Sequence, residues 1–445
     1  MALTEVHNRM IEGSVANVID YGATGDGSTD DTAAIQLALN SGKSTVFFPA
    51  GTYVTSNLDL PVKIAIKGEG YRRSIIKPDT GIRAIFVKGG TVAATTTDHL
   101  ITGLSFQDFR IVCYNRVSFL RVEECAFERV SAGLYAAFSS VDSTPYGGET
   151  TLVENLEVDQ CRFFNTEYGV DFTQQYVNIS IQNSYFKNIA QKAIYFGSNS
   201  SSLTQRNALI VNNTIESVGA GATSSYIAGI LGFGDDISVS NNYLYDIKNS
   251  AYWEVDGIYI KAGRCTIEDN ISVNAGYRSA IQTKALDPNG SSESETILIQ
   301  NNQIFYDATG TGTTSGFSGA FSGVTGNFYG GINVVNYNAT IKGNMITGAG
   351  YGIYAVNSYT PWLYENLTIE NNIINKNRGS FAVFITGAIN NLNINNNVIT
   401  GFVGGLAGNL PSFNGITVQI DPSIYTSDGA LWVTSEQQYI DRLIS

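Results

Sequence analysis

One short pattern returns about ten times along this chain, and it limits the available folds more than any other feature. It reads apolar-x-x-Asn-x-apolar: Ile210, Asn213 and Ile215; Val239, Asn242 and Leu244; Ile299, Asn302 and Ile304; Ile341, Asn344 and Ile346; Ile369, Asn372 and Ile374; Ile394, Asn397 and Ile399. Ile267 and Asn270 form a weaker copy, and earlier copies carry Cys125, Cys161 and Ser184 at the asparagine position. Asn213 to Asn242 is 29 residues, and Asn242 to Asn270 and Asn344 to Asn372 are 28 each. Apolar residues two or three apart with many β-branched side chains favour strands over helices. A period near 28 is too long for a hairpin and suits a coil of short strands joined by turns. Coils stacked at ~4.8 Å bring like residues into register, so the asparagines are expected to form a hydrogen-bonded ladder inside a turn, where their tolerance of left-handed backbone would help. The expected fold is therefore all-β: a right-handed parallel β-helix, a single-stranded solenoid.

Length alone would suggest two or three globular domains for 445 residues, but an array of stacked units can be one long domain. With 46 glycines and 8 prolines, tight turns outnumber extended linkers. Only 15% of residues are charged, against a usual share of about 25%, so Asn, Ser, Thr and the 25 tyrosines must keep the surface wet. A net charge of −13 argues against a nucleic-acid partner, which would need a basic field. No segment approaches the roughly 18 apolar residues of a membrane span, and residues 1–13, MALTEVHNRMIEG, lack the apolar core of a secretory signal. The four cysteines, Cys113, Cys125, Cys161 and Cys265, have no metal-ligand spacing and read as buried thiols. His7 and His99 both lie outside the asparagine-bearing repeats, so no metal or other cofactor is expected.

Residues 15–53 read VANVIDYGATGDGSTDDTAAIQLALNSGKSTVFFPAGTY. A strand at Val15–Tyr21 should lead through a Gly/Asp loop to a helix from about Thr32 to Asn40, with Asp30 or Asp31 as its N-cap. That helix reads as a cap on the open end of the coil, and the acidic loop lacks the spacing of an EF-hand. The run DYGATGDGSTDDTAAIQ followed by FFPAGTY resembles the opening motif of the pectate-lyase-like superfamily, and the preceding TEVHNRMIEGSVANV resembles the junction of bacteriophage tailspikes. The resemblance implies a homotrimer carried with phage tail or baseplate proteins, which binds and often cleaves bacterial surface polysaccharide. It implies a virion-tail location, with assembly in the host cytoplasm and action outside the cell. Polygalacturonases share the opening motif, but their catalytic set needs a Gly-His-Gly, and the repeats hold no histidine. The expected divisions are a neck at 1–14, the opening motif and capping helix at 15–60, the β-helix at 61–420, and a closing segment at 421–445 in which Leu431, Trp432 and Val433 complete the last coil.

A second strand in each coil follows a small residue: Gly229, Gly257, Ala280, Gly331 or Gly352. One and three positions on, residues are mostly apolar and should face inward; two and four positions on, they should face out. Aligning the first three coils on this residue sets Glu254 between Tyr226 and Tyr277, with Trp253 beside it. Aromatic faces are good sugar platforms, and burial against rings favours a neutral carboxyl, so Glu254 is the candidate general acid. Asp256, near Arg278, is the candidate base or nucleophile; both carboxyls read equally as solvated turn residues. Asp235 is a reserve catalytic candidate, whereas Asp236, Arg264 and Asp287 read as a surface ion-pair ladder. Asp171 sits at the outward plus-two position but three coils from Tyr259, too far to pair with Glu254.

Tyr226, Trp253, Tyr259, Lys261, Tyr277, Arg278 and Lys284 are the candidate sugar contacts. The cations Lys261, Arg264, Arg278 and Lys284 suit an anionic sugar, although a solvated face is the default reading. The 42-residue gap from Asn302 to Asn344, the 36-residue gap from Cys125 to Cys161, and the segment from Tyr359 to Trp362 mark long loops that could form binding walls. The function expected is a tailspike glycosidase; a uronate lyase, with Tyr259 or Lys261 as base, and a non-catalytic adhesin are the alternatives.

Overall fold

The computed structural model describes residues 15–88, 97–114, 116–129, 136–140, 152–173, 175–198, 205–222, 226–249, 254–276, 278–285, 296–306, 330–335, 338–356, 363–375, 381–386, 388–400, 404–408, 418–420 and 432–433. Residues 1–14, Trp253, Tyr277, Asp287, the insertion at 307–329, residues 359–362, Leu431 and most of 421–445 lie outside them. The chain is a right-handed parallel β-helix with one α-helix among the described residues. Its strands group into two compact units. One is Met1–Thr166 with Gln174–Tyr185, and the other is Glu167–Thr173 with Phe186–Ser445.

Within the first unit, each coil contributes to parallel ladders. One runs through Val15–Asn17, Thr45–Phe48, Ile64–Gly68, His99–Thr102, Leu120–Glu123, Leu152–Asp159 and Gln175–Gln182. A second runs from Asp26–Asp30 to Arg162–Phe164. Like residues therefore stack: Phe106, Phe127 and Phe163 are fully buried, with ring centroids 5.0 Å apart at each step. The helix, Thr32–Leu39, buries Ile35, Ala38 and Leu39. Asp31 occupies its N-cap position without a side-chain capping bond; its carboxylate instead accepts from the backbone and hydroxyl of Thr24 and from Gly25 N. Asp30 accepts from Thr32 N at 2.9 Å.

In the second unit the asparagine ladder is complete from Asn213 to Asn397. Each member but the last donates both its backbone N and its Nδ2 to the Oδ1 of the next, as Asn242 does to Asn270 at 2.9 and 3.0 Å. Members from Asn242 on also donate Nδ2 to a carbonyl of the preceding coil, Ile210 in the case of Asn242. All seven asparagines are at most 1% exposed. The left-handed backbone was expected on these residues and falls one position earlier, on Asn212, Asn241, Asp269, Asn301, Gly343, Asn371 and Asn396. The reason is a division of labour: the preceding residue turns the chain, and the ladder residue needs a side chain that both donates and accepts. Cys161 shows the requirement in the first unit, where its Sγ donates to Val122 O at 3.4 Å and its N donates to Ser184 Oγ. The four cysteines are free and buried. Asn302 donates directly to Asn344 although they are 42 positions apart, so the long insertion leaves the stack unbroken.

A third ladder of the second unit carries the outward face of interest. It runs through Tyr168–Phe172, Lys192–Phe196, Tyr226–Ser240, Glu254–Ala262, Ser279–Lys284 and Gly330–Val335, continuing to Trp432–Val433, which pairs with Gly404–Gly408. Ile230, Ile258 and Ile281, one position after the small residue, are at most 1% exposed and fill the interior. The small residue is required by crowding: a Cβ on Gly257 would stand 2.5 Å from Ala280 O.

Candidate active site

Side chains opposite one another on this ladder match the columns read from the sequence. Tyr226 lies opposite Glu254, Ala228 opposite Asp256, Leu231 opposite Tyr259 and Phe233 opposite Lys261. Tyr259 then faces Gln282, and Lys261 faces Lys284.

At the centre stands Arg278. Its Nε donates to Asp256 Oδ1 at 3.1 Å, and its Nη2 donates to Asp256 Oδ2 and, at 2.9 Å, to the Tyr226 hydroxyl. Tyr226 in turn donates to Asp256 Oδ2 at 3.2 Å. On another edge of the guanidinium, Nη1 is 3.6 Å from Glu254 Oε1. Asp256 is wholly buried, whereas the Glu254 side chain keeps 28% of its surface. A buried carboxylate of this kind persists only when its charge and lone pairs are matched, and the Arg278 fork supplies two parallel bonds.

Aromatic rings wall this centre. Tyr226 and Tyr259 have centroids 5.7 Å apart, and Phe233 is 6.3 Å from Tyr259. The guanidinium lies 5.2 Å from the Tyr226 centroid and 5.5 Å from that of Tyr259, which also carries the Lys284 ammonium at 5.8 Å. Burial pushes the Lys284 amine below its ordinary value, and the cations of Arg278 and Lys261 push it further. Burial, with the Asp256 charge, holds the Tyr226 phenol well above its own. On the next two strands Ser279 Oγ, Gln282 Oε1 and Asn333 Oδ1 are buried without a hydrogen-bond partner among the described residues. Orphaned acceptors cost stability unless something donates to them.

Asp235 takes a different course. It pairs with Arg264 at 2.6 Å and accepts from Arg264 N, while Asp236 grips the same guanidinium through two bonds. The Arg264 cation keeps the Asp236 carboxyl below its usual range. Asp235 therefore belongs to the surface ion pair and stands apart from the Glu254 centre. Trp253 and Tyr277 lie outside the described residues.

Lys192, Tyr168 and Tyr195, which the sequence did not single out, extend the face together with Asp171, which it set aside for its distance from Glu254. Lys192 is 7% exposed, and its ammonium lies over three rings, those of Tyr168, Tyr195 and Tyr226, at 5.2, 5.2 and 5.6 Å. Tyr168 donates to Gln191 Oε1, whose amide donates to Glu167. Asp171, opposite Tyr195, has a buried Oδ1 without a partner among the described residues. Burial, opposed by Lys192 and reinforced by Glu167, raises its carboxyl to about 7. Its outward column position was readable in the sequence; its desolvation was not.

Residues 15–223 match the family described as rhamnogalacturonase A/epimerase, pectate lyase-like. A capsule-specific depolymerase of Klebsiella phage K64-1 is 40% identical over 86 residues, covering 18% of this chain and 11% of that protein. Mannuronan C5-epimerase AlgE3 of Azotobacter vinelandii is 41% identical over 73 residues, covering 14% of this chain and 4% of that protein. The chain thus spans only a small part of the length of these relatives. The pre-mature gene product 12 of bacteriophage phi29 shares the fold, with a TM-score of 0.58 at 16% identity over 93% of this chain and 58% of that one. The chain thus carries a segment similar to the pectate-lyase-like family over residues 15–223 and has the right-handed β-helix fold.

Proposed function

We propose that the chain binds a bacterial surface polysaccharide (capsule, O-antigen or exopolysaccharide) along the outward face of the third ladder and cleaves it by hydrolysis at Glu254 and Asp256. The observation that carries this reading is the single guanidinium between the two carboxyls. Groups that share one guanidinium are held within the roughly 5–10 Å over which glycosidase carboxyl pairs operate. Glu254, the more exposed, gives its proton to the leaving glycosidic oxygen. Asp256 takes the proton of the attacking water, which enters beside the Tyr226 hydroxyl that already bonds its Oδ2. Tyr226 and Tyr259 offer ring faces to the sugar. The similarity to a phage capsule depolymerase supports such a substrate. In this reading the protein is a homotrimeric tailspike, held by tail or baseplate proteins and acting outside the host cell.

Elimination is the second reading, favoured by Lys284, an amine of lowered pKa against Tyr259 and beside Arg278. One incubation with host polysaccharide separates the outcomes by mass spectrometry and ultraviolet absorbance. Saturated fragments with new reducing ends mean hydrolysis, unsaturated uronates mean elimination, and an intact bound polymer means an adhesin. Glu254→Gln is expected to lower turnover about a hundredfold or more; full turnover in that variant removes Glu254 from the reaction.

A further inference from the structure

A second centre on the same face holds two unmatched polar groups on neighbouring strands. Lys192 is nearly enclosed, yet its ammonium makes no hydrogen bond or ion pair with a described residue. Its contacts are the three tyrosine rings. Rings stabilise a cation through their faces but accept none of its three N–H bonds in the manner of an oxygen. Asp171, with its orphaned Oδ1, stands across from Tyr195 on the adjoining strand and does not reach Lys192 at ion-pair distance. Nearby, Glu167 already accepts from Gln191.

We infer that Lys192 and Asp171 form a subsite for the carboxylate of an acidic sugar, with Tyr168 and Tyr195 as the flanking ring surfaces. The inference rests on the reading of this face as a polysaccharide groove and adds the class of sugar it takes. Lys192 supplies the positive charge and its free N–H donors. Asp171, protonated below about pH 7, supplies an O–H donor to the same anion. The Glu167 carboxylate already offsets part of the Lys192 charge, so the centre suits a monoanion better than a dianion. Lys192, opposite Ala228, lies two strand steps from Asp256, and Asp171 is one strand further, or ~10 and ~14 Å at the usual strand spacing. The subsite therefore recognises a sugar some way along the chain from the bond that is cut.

The charged and titratable groups around Asp171 on these two strands are Glu167, Tyr168, Lys192 and Tyr195. Burial raises the Asp171 carboxyl to about 7 and lowers the Lys192 amine, the latter opposed by the Asp171 and Glu167 charges. Once ionised, Asp171 repels a carboxylate and neutralises Lys192, so affinity for an acidic sugar must fall as pH rises through about 7.

The test titrates the full chain with methyl β-D-glucuronide by NMR, with methyl β-D-glucoside and inorganic phosphate as controls. The glucuronide is expected to bind about tenfold or more tightly than the glucoside, and to weaken about tenfold or more between about pH 5.5 and 8.5. Asp171→Asn should keep the binding and lose its pH dependence. Lys192→Met, and Lys192→Gln as a second variant should the first unfold, should lose about tenfold in affinity at the lower pH. Equal binding of glucoside, tighter binding of phosphate, unchanged affinity in both Lys192 variants, or an unchanged pH profile in Asp171→Asn overturns the subsite. If the glucuronide binds as expected while host polymer stays intact, cleavage fails and the subsite stands. If polymer is cut while neither position affects glucuronide binding, the subsite fails and cleavage stands.

Discussion

A buried asparagine in this fold has no spare hydrogen bonds. Asn302 accepts from Asn270 and donates to Asn344, to Ile267 O and to Gln300 O. Asn302→Ala therefore strands several buried groups at once, and a loss of about 2–4 kcal/mol is expected in urea unfolding. A loss under 1 kcal/mol would mean that water replaces the amide. His99 makes the opposite case: both ring nitrogens are buried without partners among the described residues, and burial lowers its pKa to about 4. The unfolded chain binds a proton near pH 6.5 and the folded chain does not until about pH 4, so folding weakens as pH falls across that window. His99→Leu should flatten this dependence by about 2 kcal/mol between pH 7 and pH 4, read by denaturant unfolding at each pH.

At the level of the strand, the coil alignment depended on a small residue that recurs because a neighbouring carbonyl crowds it. Counting from it put Tyr226 opposite Glu254 and Phe233 opposite Lys261, and the backbone register is the same. Alternation of two makes such columns legible, since a slip by one residue would turn every side chain to the wrong face. What counting could not reach is how a column's members bond. Asp256 and Arg278 are near in either description, but the two-bond fork, the shared Tyr226 hydroxyl and the approach of Glu254 depend on rotamers and on what covers the strand. Arg278→Met is expected to cost about 3–5 kcal/mol in stability, because it leaves Asp256 buried without its counter-charge. Asp256→Asn with Arg278→Met should recover part of that loss, measured as a double-mutant cycle; an additive result would mean that the pair is not coupled.

For the molecule as a whole, the net charge is −13, while Lys192, Lys261, Arg278 and Lys284 sit together on one face. An acidic polymer thus meets repulsion at a distance and attraction only on contact. Raising ionic strength from about 0.01 to 0.15 M shortens the screening length from ~30 to ~8 Å and should speed association about twofold or more. Stopped-flow binding measures this, and slower association at higher salt would mean that the local cations already steer the polymer. The repeat period, the strand columns and the N-terminal helix were all present in the amino-acid order. Each follows from spacing, and spacing is carried by the chain itself. Folding alone decided that the 41 residues between Asn302 and Asn344 leave the ladder intact, and that left-handed backbone precedes each ladder asparagine. It also decided that Asp171, set aside for its distance from Glu254, is a desolvated carboxyl beside an enclosed lysine. Burial is a property of what surrounds a group in three dimensions, so no count along the chain could have found it.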